Sequence, residues 1–511
     1  MYNMEYLRKL ILLKKIPKKW LIFGLFSIIG INLLRYYRRK MWKLIPIINT
    51  QVTQAVIDIK TKNKLEIDRL DNIIRNTYNI EPHILPKIGL DNNTIMTYID
   101  TLKTHDTSYK LISGAMYDNI NDHQHIMMEA YKEFAYSNPM HGDIYNSIVF
   151  MERNIINILS SLLHNNISCG TITNGGTESI FLAVKTYRDL KKSNNPNIVI
   201  PDTFHCSIDK ICHYLGIKIN KIKTDKEHRV ILSDILKNIN KNTICVMLSA
   251  PSYGYGIMDN VYEIAPILND RNIPVHVDAC LGGFIWMFQD ISKKYSFNIP
   301  GVTSISVCIH KYGYSHKGVS SILYRDERYL KYQYFSTNDW DGGFYVSPSF
   351  LGSRSGGLVA QAWAGILSRG YDYYHDTSKE IINLAIYTYN KLLNNKNSIS
   401  LFPRDLHIVS FSIGVKTYQL YDYLAENGFI LNALQNPPGI HLCITLQHNK
   451  KLIDELCSHI DLFMSKKDNI IIKEGIAPIY GMRSSIPVYS NVIMNTCLKI
   501  YLSSKYSKAL K

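Results

Sequence analysis

The sequence predicts an α/β protein built on a large, mostly parallel sheet, with two subdomains in one folding unit. The chain has 511 residues, which is enough for a core of that size. Short apolar runs alternate with helix-like segments between residues 169 and 324, as expected for strands that helices cover on both faces. Reactive polar residues follow several of these runs, at the sheet edge where α/β proteins bind ligands.

The predicted elements follow in chain order. Residues 51–78 mix polar and apolar residues and are predicted to be helical, and Asn79–Asn93 is predicted to be an irregular linker. Cys169–Thr173 is predicted to be a short strand, followed by a glycine turn and a helix over Thr177–Asp189. Further buried strands are predicted at Asn197–Pro201, Thr243–Ser249, Pro274–Asp278, Val302–Val307 and Ser320–Tyr324.

An uncharged segment, WLIFGLFSIIGINLL, lies near the N-terminus at Trp20–Leu34. As a helix it would be roughly 22 Å long, less than the ~30 Å hydrocarbon core of a bilayer. Lys18 and Lys19 on one side, and Tyr36 to Arg38 on the other, can extend it to both interfaces. We predict a membrane anchor within residues 1–45. The alternative is a buried or interfacial helix, and basic residues on both flanks leave the orientation open.

The net charge of +16 is uneven, because residues 1–43 contain eleven Lys or Arg and one acid. The rest of the chain shows no basic stripe, so nucleic-acid binding is not predicted. The nine cysteines form no CxxC pair. The sequence therefore predicts no metal site, and we expect reduced thiols in a cytosolic environment.

The stretch TNGGTES, Thr173–Ser179, places two glycines between a strand and a helix. Free backbone N–H groups and the dipole at a helix N-terminus favour an anion. Gly175 and Gly176 allow a phosphate to approach the backbone closely, and Thr177 adds a hydroxyl. The turn predicts a phosphate site, with an ordinary glycine turn as the alternative.

Asp278 and Lys311 each follow an apolar run at the predicted ligand edge. A buried carboxylate is costly unless it is paired, and a protonated pyridine nitrogen is a suitable partner for Asp278. A helix or turn cap is the alternative for that residue. Burial beside Asp278 would lower the pKa of Lys311, so that its neutral amine could form a Schiff base.

His205 follows the strand that ends at Pro201 and can stack on a cofactor ring, with a structural histidine as the alternative. The glycine turn, Asp278 and Lys311 supply a phosphate cradle, a ring-nitrogen partner and a reactive amine, in that order along the chain. Together they predict pyridoxal phosphate as the cofactor.

Longer stretches resemble the sphingosine-1-phosphate lyases, which are pyridoxal-phosphate enzymes of fold type I related to the group II amino-acid decarboxylases. The resemblance runs from Ser113 to Ser504 and includes SGAMY, FAYSNPMHGDIY, TNGGTESIFLAVKTYRDL, HVDACLGGF, HKYGY, GSRSGG, PPGIHLCITLQH and IYGM. TNGGTES and HVDA are typical of the wider fold-type-I group. SNPMH, HKYGY with a lysine six positions after its own, and IYGM point to the lyases.

The resemblance implies an N-terminal helical segment at residues 46–110, a large pyridoxal-phosphate domain at 111–355 and a smaller C-terminal α+β domain at 356–511. It implies a homodimer with the active site at the subunit interface. It also implies an anchor in the endoplasmic-reticulum membrane, with the catalytic domain in the cytosol. The implied reaction cleaves the C2–C3 bond of a phosphorylated sphingoid base, giving a long-chain aldehyde and phosphoethanolamine.

The resemblance also implies roles for residues at matching positions. Gly176, Thr177, His310 and Ser353 are expected to hold the cofactor phosphate, and Ser353 is expected to come from the partner subunit.

For the substrate, the matching positions imply that His141 and Lys317 bind the phosphate group, with a plain surface lysine as the alternative for Lys317. The family's aromatic positions imply candidates for proton transfer or substrate positioning, and none is singled out as the base. These candidates are Tyr117, Tyr253, Tyr255 and Tyr480.

The chain departs from the family pattern just before the histidine–lysine pair, where Cys308 and Ile309 replace the usual aspartate and threonine. This departure keeps open an inactive, membrane-tethered homologue as one alternative. The other alternative is an amino-acid decarboxylase with the same cofactor. A decarboxylase commonly holds the substrate carboxylate with an arginine, whereas a lyase needs groups for the substrate phosphate. Gly254 and Ser355 stand where proline is common.

Overall fold

The computed structural model describes residues 68–77, 85–106, 108–118, 121–394, 399–466, 499 and 502–503. The predicted anchor at residues 20–34 and the candidate Tyr480 lie outside them. In the described parts of the chain, no helix is both long and apolar enough to cross a membrane. Backbone contacts divide the chain into a large unit, Ser108–Ala477, and a second unit that combines Met1–Thr107 with Pro478–Lys511.

The second unit is helical where it is described. Residues 68–77 form a helix within the predicted helical segment 51–78. Helix α1 spans Asn92–Lys103 and begins after Asp91, whose side chain accepts a hydrogen bond from the Thr94 N–H at 3.0 Å. The last two residues of the predicted linker therefore belong to this helix.

The large unit is organised around one seven-stranded sheet. After the two-residue strand β1, Leu111–Ile112, its strands are β2 (Gly170–Thr173), β3 (Asn197–Pro201), β4 (Lys218–Ile222), β5 (Thr243–Ser249), β6 (Val275–Asp278), β7 (Val302–Val307) and β8 (Ser320–Tyr324). Their order is β2-β8-β7-β6-β5-β3-β4. Only β8 runs against its neighbours, so the carboxyl ends of the six other strands meet at one edge.

This sheet confirms the α/β prediction. Strands β3, β5, β6, β7 and β8 are buried along their whole length, which explains their nearly continuous apolar sequences. Strand β4, KINKI, was not predicted, because it lies at the sheet edge and only Ile222 is buried. A polar strand of this kind lacks the apolar run by which buried strands are predicted from sequence.

The helices of the large unit mostly follow strands and cover the sheet. They are α2 (Asn121–Glu133), α3 (Asn146–Leu162), α4 (Gly176–Lys191), α5 (Ser207–Leu215), α6 (Leu232–Asn238), α7 (Val261–Asn269), α8 (Gly283–Trp286), α9 (Glu327–Leu330) and α10 (Gly356–Leu393), with a 3₁₀ turn at Asp290–Lys294. Ser355 begins α10 by accepting a hydrogen bond from the Leu358 N–H. The long α10 changes direction at Gly370, where φ is 67°.

A smaller antiparallel sheet follows α10. Its order is β11 (Ser400–Leu401), β12 (Ile408–Ser412), β15 (Pro438–Cys443) and β14 (Asn432–Gln435). Around it lie a 3₁₀ turn at Gly414–Lys416, α11 (Thr417–Glu426), α12 (Lys450–Lys466) and β13 (Phe429–Ile430), which pairs with β1. Strands β9 (Phe335–Thr337) and β10 (Tyr345–Ser347) form a separate hairpin.

One hydrophobic core joins the two sheets. It contains Val277 and Ile305 of the large sheet together with Ile408 and Ile440 of the small one. The predicted domain boundary at residue 355 stays a prediction, since backbone contacts keep Ser108–Ala477 together as one unit.

Candidate active site

A cavity of about 550 Å³ opens at the edge where the parallel strands end. Its walls come from segments that follow β2, β3, β5, β6 and β7, which explains why residues distant in sequence meet there. Among the predicted site residues, those that line it are Gly175, Gly176, Thr177, His205, Tyr253, Asp278, His310 and Lys311. The structure thus brings together the three sequence features that predicted a cofactor.

The glycine turn closes one side of the cavity. Gly175 has a φ of 152°, which L side chains rarely adopt, and α4 begins at the next residue. A Cβ at Gly176 would lie 2.7 Å from Cys280 Sγ and 2.9 Å from Cys308 Sγ, so only glycine fits there. Glu178 holds the turn by accepting hydrogen bonds from the Asn174 N–H at 2.7 Å and side-chain amide at 3.1 Å. The N–H groups that begin α4 therefore face the cavity in a fixed turn.

A buried ion pair braces the strand that leads into this turn. Arg354 donates to both carboxylate oxygens of Glu152 at 2.9 Å, and the two side chains are 6% and 14% exposed. Glu152 also accepts from the Ile172 N–H at 3.0 Å, while Arg354 donates to the Ile172 carbonyl at 3.1 Å. The pair therefore fixes the end of β2, next to the glycine turn, by binding both the N–H and the carbonyl of Ile172.

Asp278 is buried at the end of β6. Its carboxylate accepts two hydrogen bonds from described residues, both on Oδ1: from the Cys280 N–H at 3.0 Å and from the Ser306 hydroxyl at 3.2 Å. Ser306 Oγ lies 3.3 Å from Nε2 of His276, whose pKa burial lowers to about 4. A neutral histidine therefore stands behind the carboxylate, and the second oxygen is available to a cationic ring nitrogen.

His205 is held in a defined orientation beside the cavity. Its Nδ1 accepts a hydrogen bond from the Ser207 N–H at 3.2 Å and lies 2.9 Å from the Ser207 hydroxyl. Burial lowers the pKa of His205, Asp278 opposes this effect and the Lys311 ammonium adds to it. A neutral imidazole with an accepting Nδ1 carries its proton on Nε2.

Lys311 lies next to Asp278 and to two thiols, and its environment corrects one expectation. Burial by itself lowers the pKa of Lys311, but Cys308, Cys280 and Asp278 favour the charged form and the net result is a raised pKa. The prediction that the pKa of Lys311 is lowered is therefore wrong, because the net shift is upward. The prediction considered the effect of burial on the pKa and omitted the opposite effect of the acids that β6 and β7 bring to the same place.

His310 lies beside Lys311 in the cavity wall. Its Nδ1 donates to the Val319 carbonyl at 2.6 Å, which leaves Nε2 as the other ring nitrogen. Burial, followed by the Lys311 ammonium, lowers the pKa of His310 to about 4. In this neutral ring Nε2 can accept a further hydrogen bond without adding charge.

Two further candidates, Lys317 and Tyr117, contact each other outside the cavity lining. The ammonium of Lys317 lies 4.4 Å above the ring of Tyr117, which is buried and packs edge-on against Tyr312 at 4.9 Å. Burial lowers the pKa of Lys317, and Lys311 adds to this effect. Lys317 is therefore a half-buried cation in a defined contact.

His141 and Ser353 also lie outside the cavity lining, and they share one neighbour. Asn138 donates from its side-chain amide to Ser353 Oγ at 3.2 Å, and its carbonyl accepts the His141 N–H at 3.0 Å. Two residues implied as phosphate ligands thus come together around Asn138, in the same subunit but outside the cavity.

The two tyrosine candidates of the loop after β5 point in different directions. Tyr253 lines the cavity, with its ring 6.1 Å from His205 and 4.7 Å from His441. Tyr255 is buried, stacks on His228 at 3.6 Å and donates to the Asn436 carbonyl at 2.7 Å. The structure therefore places only Tyr253 where a bound molecule could reach it.

Sequence reasoning did not single out Cys280, Ser306 or Glu178 as site residues. Cys280 and Ser306 both contact Asp278, and Cys280 also lines the cavity. The available signal was the spacing of β6 and β7, since residues that follow neighbouring parallel strands share one sheet edge. Glu178 was visible as the acid in the first turn of α4.

Comparisons with known proteins agree with this geometry. The conserved domain of the pyridoxal-dependent decarboxylases matches residues 70–414. The sphingosine-1-phosphate lyase of Drosophila melanogaster is 36% identical over 91% of this chain and 88% of its own length. That of Dictyostelium discoideum is 36% identical over 85% of this chain and 84% of its own.

Among solved structures, the sphingosine-1-phosphate lyase of Burkholderia pseudomallei K96243 superimposes with a TM-score of 0.72. It is 24% identical, and the match covers 84% of this chain and 98% of that one. This likeness supports the fold, and the more similar sequences identify the family. The chain belongs to the sphingosine-1-phosphate lyases, within the family of pyridoxal-dependent decarboxylases.

Proposed function

We propose that this protein is a pyridoxal-phosphate-dependent lyase that cleaves phosphorylated sphingoid bases at C2–C3, giving a long-chain aldehyde and phosphoethanolamine. The observation that carries the proposal is the convergence of Lys311, Asp278 and the Gly175–Gly176 turn on one cavity. The lyases named above, at 36% identity over most of the chain, support the choice of reaction.

The residues of the cavity fit the cofactor. Gly175 and Gly176 line the cavity without a side chain, and the N–H groups at the start of α4 suit a phosphate. The Oδ2 oxygen of Asp278 suits a protonated ring nitrogen, and the neutral His205 suits the ring face. When bound, pyridoxal phosphate supplies an electron sink for the bond cleavage.

The residues of the chain would supply binding and proton transfer. Lys311 Nζ would join the cofactor between turnovers and would exchange protons with the substrate carbon during them. A ring nitrogen bound to Asp278 would neutralise one of the acids that raise the pKa of Lys311. Cofactor binding would thereby favour the neutral amine that the chemistry needs.

The cavity mouth suits a lipid substrate. Phe181 and Phe350 pack edge-on at 4.9 Å, and Phe350 is 63% exposed. Leu351 lies beside them in the same wall. These apolar side chains would contact the alkyl chain, while Lys317 and His141 would bind the substrate phosphate.

The arrangement around Asn138 supports a homodimer. His141 and Ser353 contact Asn138 outside the cavity of their own subunit. We propose that they complete the site of the partner, where Ser353 would contact the cofactor phosphate.

We also propose that residues 20–34 anchor the enzyme in the endoplasmic-reticulum membrane, with the catalytic domain, residues 111–355, and the C-terminal domain in the cytosol. Uncharged sequence between basic flanks supports the anchor.

The test is to incubate the purified full chain with sphingosine 1-phosphate, with and without added pyridoxal phosphate, and to quantify aldehyde and phosphoethanolamine. We expect cofactor-dependent release of both products in equal amounts. Lys311→Ala should abolish release, whereas the exposed Lys331→Ala should not alter it. Carbon dioxide from amino acids without aldehyde release would instead identify a decarboxylase. Neither product from cofactor-saturated protein would identify an inactive homologue.

A further inference from the structure

Cys280 and Cys308 lie side by side in the cavity wall. Strands β6 and β7 pair Asp278 with Ser306, and the Ala279 N–H continues the pairing by donating to the Ser306 carbonyl at 2.9 Å. Cys280 and Cys308 each come two residues after this pair, just beyond the ends of the two strands. The pairing of β6 with β7 therefore brings them to the same cavity wall.

The spacing suits a disulfide bond. Neighbouring strands lie about 4.8 Å apart, within the Cα separation of about 4.4–6.8 Å that a disulfide spans. Both sulfurs point to the same side, because both lie within 2.9 Å of the place that a Cβ of Gly176 would take.

The two thiols also differ in reactivity. The hydrogen bond from Cys280 lowers the pKa of Cys308, and the Lys311 ammonium adds to this effect against burial. Cys280 keeps its proton, because the same hydrogen bond, together with burial, raises its pKa. Cys308 is thus the more acidic and more nucleophilic of the two thiols, and Cys280 is a thiol that can react with its oxidised form.

We propose that Cys280 and Cys308 form a redox-active dithiol, a modification site that hydroperoxides convert reversibly to a disulfide. The Cys308 thiolate attacks one oxygen of hydrogen peroxide, the O–O bond breaks, and the departing hydroxide takes up a proton from solvent, so that sulfenic acid and the first water form. The Cys280 sulfur then attacks the sulfenic sulfur, the S–S bond forms and a second water leaves. Two thiols are oxidised to one disulfide, and hydrogen peroxide is reduced to two waters. A dithiol reductant reverses the change.

Oxidation should switch off the site that the dithiol borders. A disulfide draws the sulfurs to about 2.05 Å, beside Gly176 and two residues from Asp278. A displacement of about 1 Å in catalytic geometry can cost about 10²-fold in rate, and we expect a loss of that order.

The experiment treats the purified holoenzyme with hydrogen peroxide and maps its peptides by mass spectrometry without reduction. We expect one linked pair that contains Cys280 and Cys308, lighter by two hydrogen atoms, and an about 10²-fold loss of aldehyde release that dithiothreitol restores. The activity readout rests on the proposed function, whereas the peptide readout does not. Failure of the proposed function would leave the linked peptide in place.

Three variants sharpen the test. Cys308→Ala and Cys280→Ser should each form no linked peptide, and either one suffices if the other does not fold. Cys206→Ser removes an exposed thiol outside the cavity lining and should keep the link. The proposal is overturned if both thiols of the unmodified chain remain free to alkylation after peroxide. It is also overturned if the link forms without changing aldehyde release.

Discussion

The buried pair of Glu152 and Arg354 offers a quantitative test of how the site is supported. Glu152→Gln preserves shape but removes the negative charge beside a guanidinium that is only 6% exposed. The amide oxygen can still accept the two hydrogen bonds that end on Oε1, yet the NH₂ group then faces the guanidinium N–H that bonded Oε2. Two hydrogen-bond donors therefore face each other in a buried position, and Arg354 loses its counter-ion.

The expected cost follows from burial. Removing one partner of a buried ion pair costs about 3–5 kcal/mol, because the other charge stays desolvated. Because the amide oxygen of Glu152→Gln can still accept, we expect its loss of stability to be near the lower end of this range, at about 3 kcal/mol. Replacing both partners with methionine removes the stranded charge, so the double variant should be more stable than Glu152→Gln. It should still lack the bonds to Ile172 and bind cofactor more weakly.

The assay is denaturant unfolding followed by circular dichroism and fluorescence, with free energies compared where the two transitions coincide. The matched control is Asp454→Asn, which breaks an ion pair with Lys391 whose side chains are 45% and 42% exposed. We expect no measurable change for that variant. Equal effects of the buried and the exposed substitution would refute the reasoning, as would a double variant less stable than Glu152→Gln.

Two other predictions concern charge. Lys317→Ala should reduce the cleavage of sphingosine 1-phosphate much more than that of its unphosphorylated analogue, and equal losses would indicate a structural role for its contact with Tyr117. Burial lowers the pKa of His276, His441 and His448 to about 4 and that of His407 to about 3. The unfolded chain therefore binds more protons below about pH 6.5, and the free energy of unfolding should fall as the pH drops from there towards 4. His407→Leu should make this decline shallower, and an unchanged slope would contradict its contribution.

The strands of the site were predictable because their signals are local. The limits of β3, β5, β7 and β8 agree with the prediction, since each is a short segment rich in apolar and β-branched residues. The edge strand β4 was missed, because a half-exposed strand with lysine and asparagine has no such run. Likewise, the reversal of β8 has no signature in its own sequence.

The sequence alone determined the chemical parts of the site. A glycine turn before a helix, an aspartate ending a buried strand and a lysine following another are set by backbone conformation and strand ends, which neighbouring residues encode.

Only the tertiary structure decided what surrounds those parts. The pairing of β6 with β7 brings Cys280 and Cys308 to the same cavity wall. Together with Asp278, these thiols raise the pKa of Lys311, against the shift that burial alone predicts. Packing also turns Tyr255 onto His228, away from the cavity. The physical reason is that a pKa and a contact are sums over all neighbours in space, and strand pairing chooses those neighbours across gaps of tens of residues.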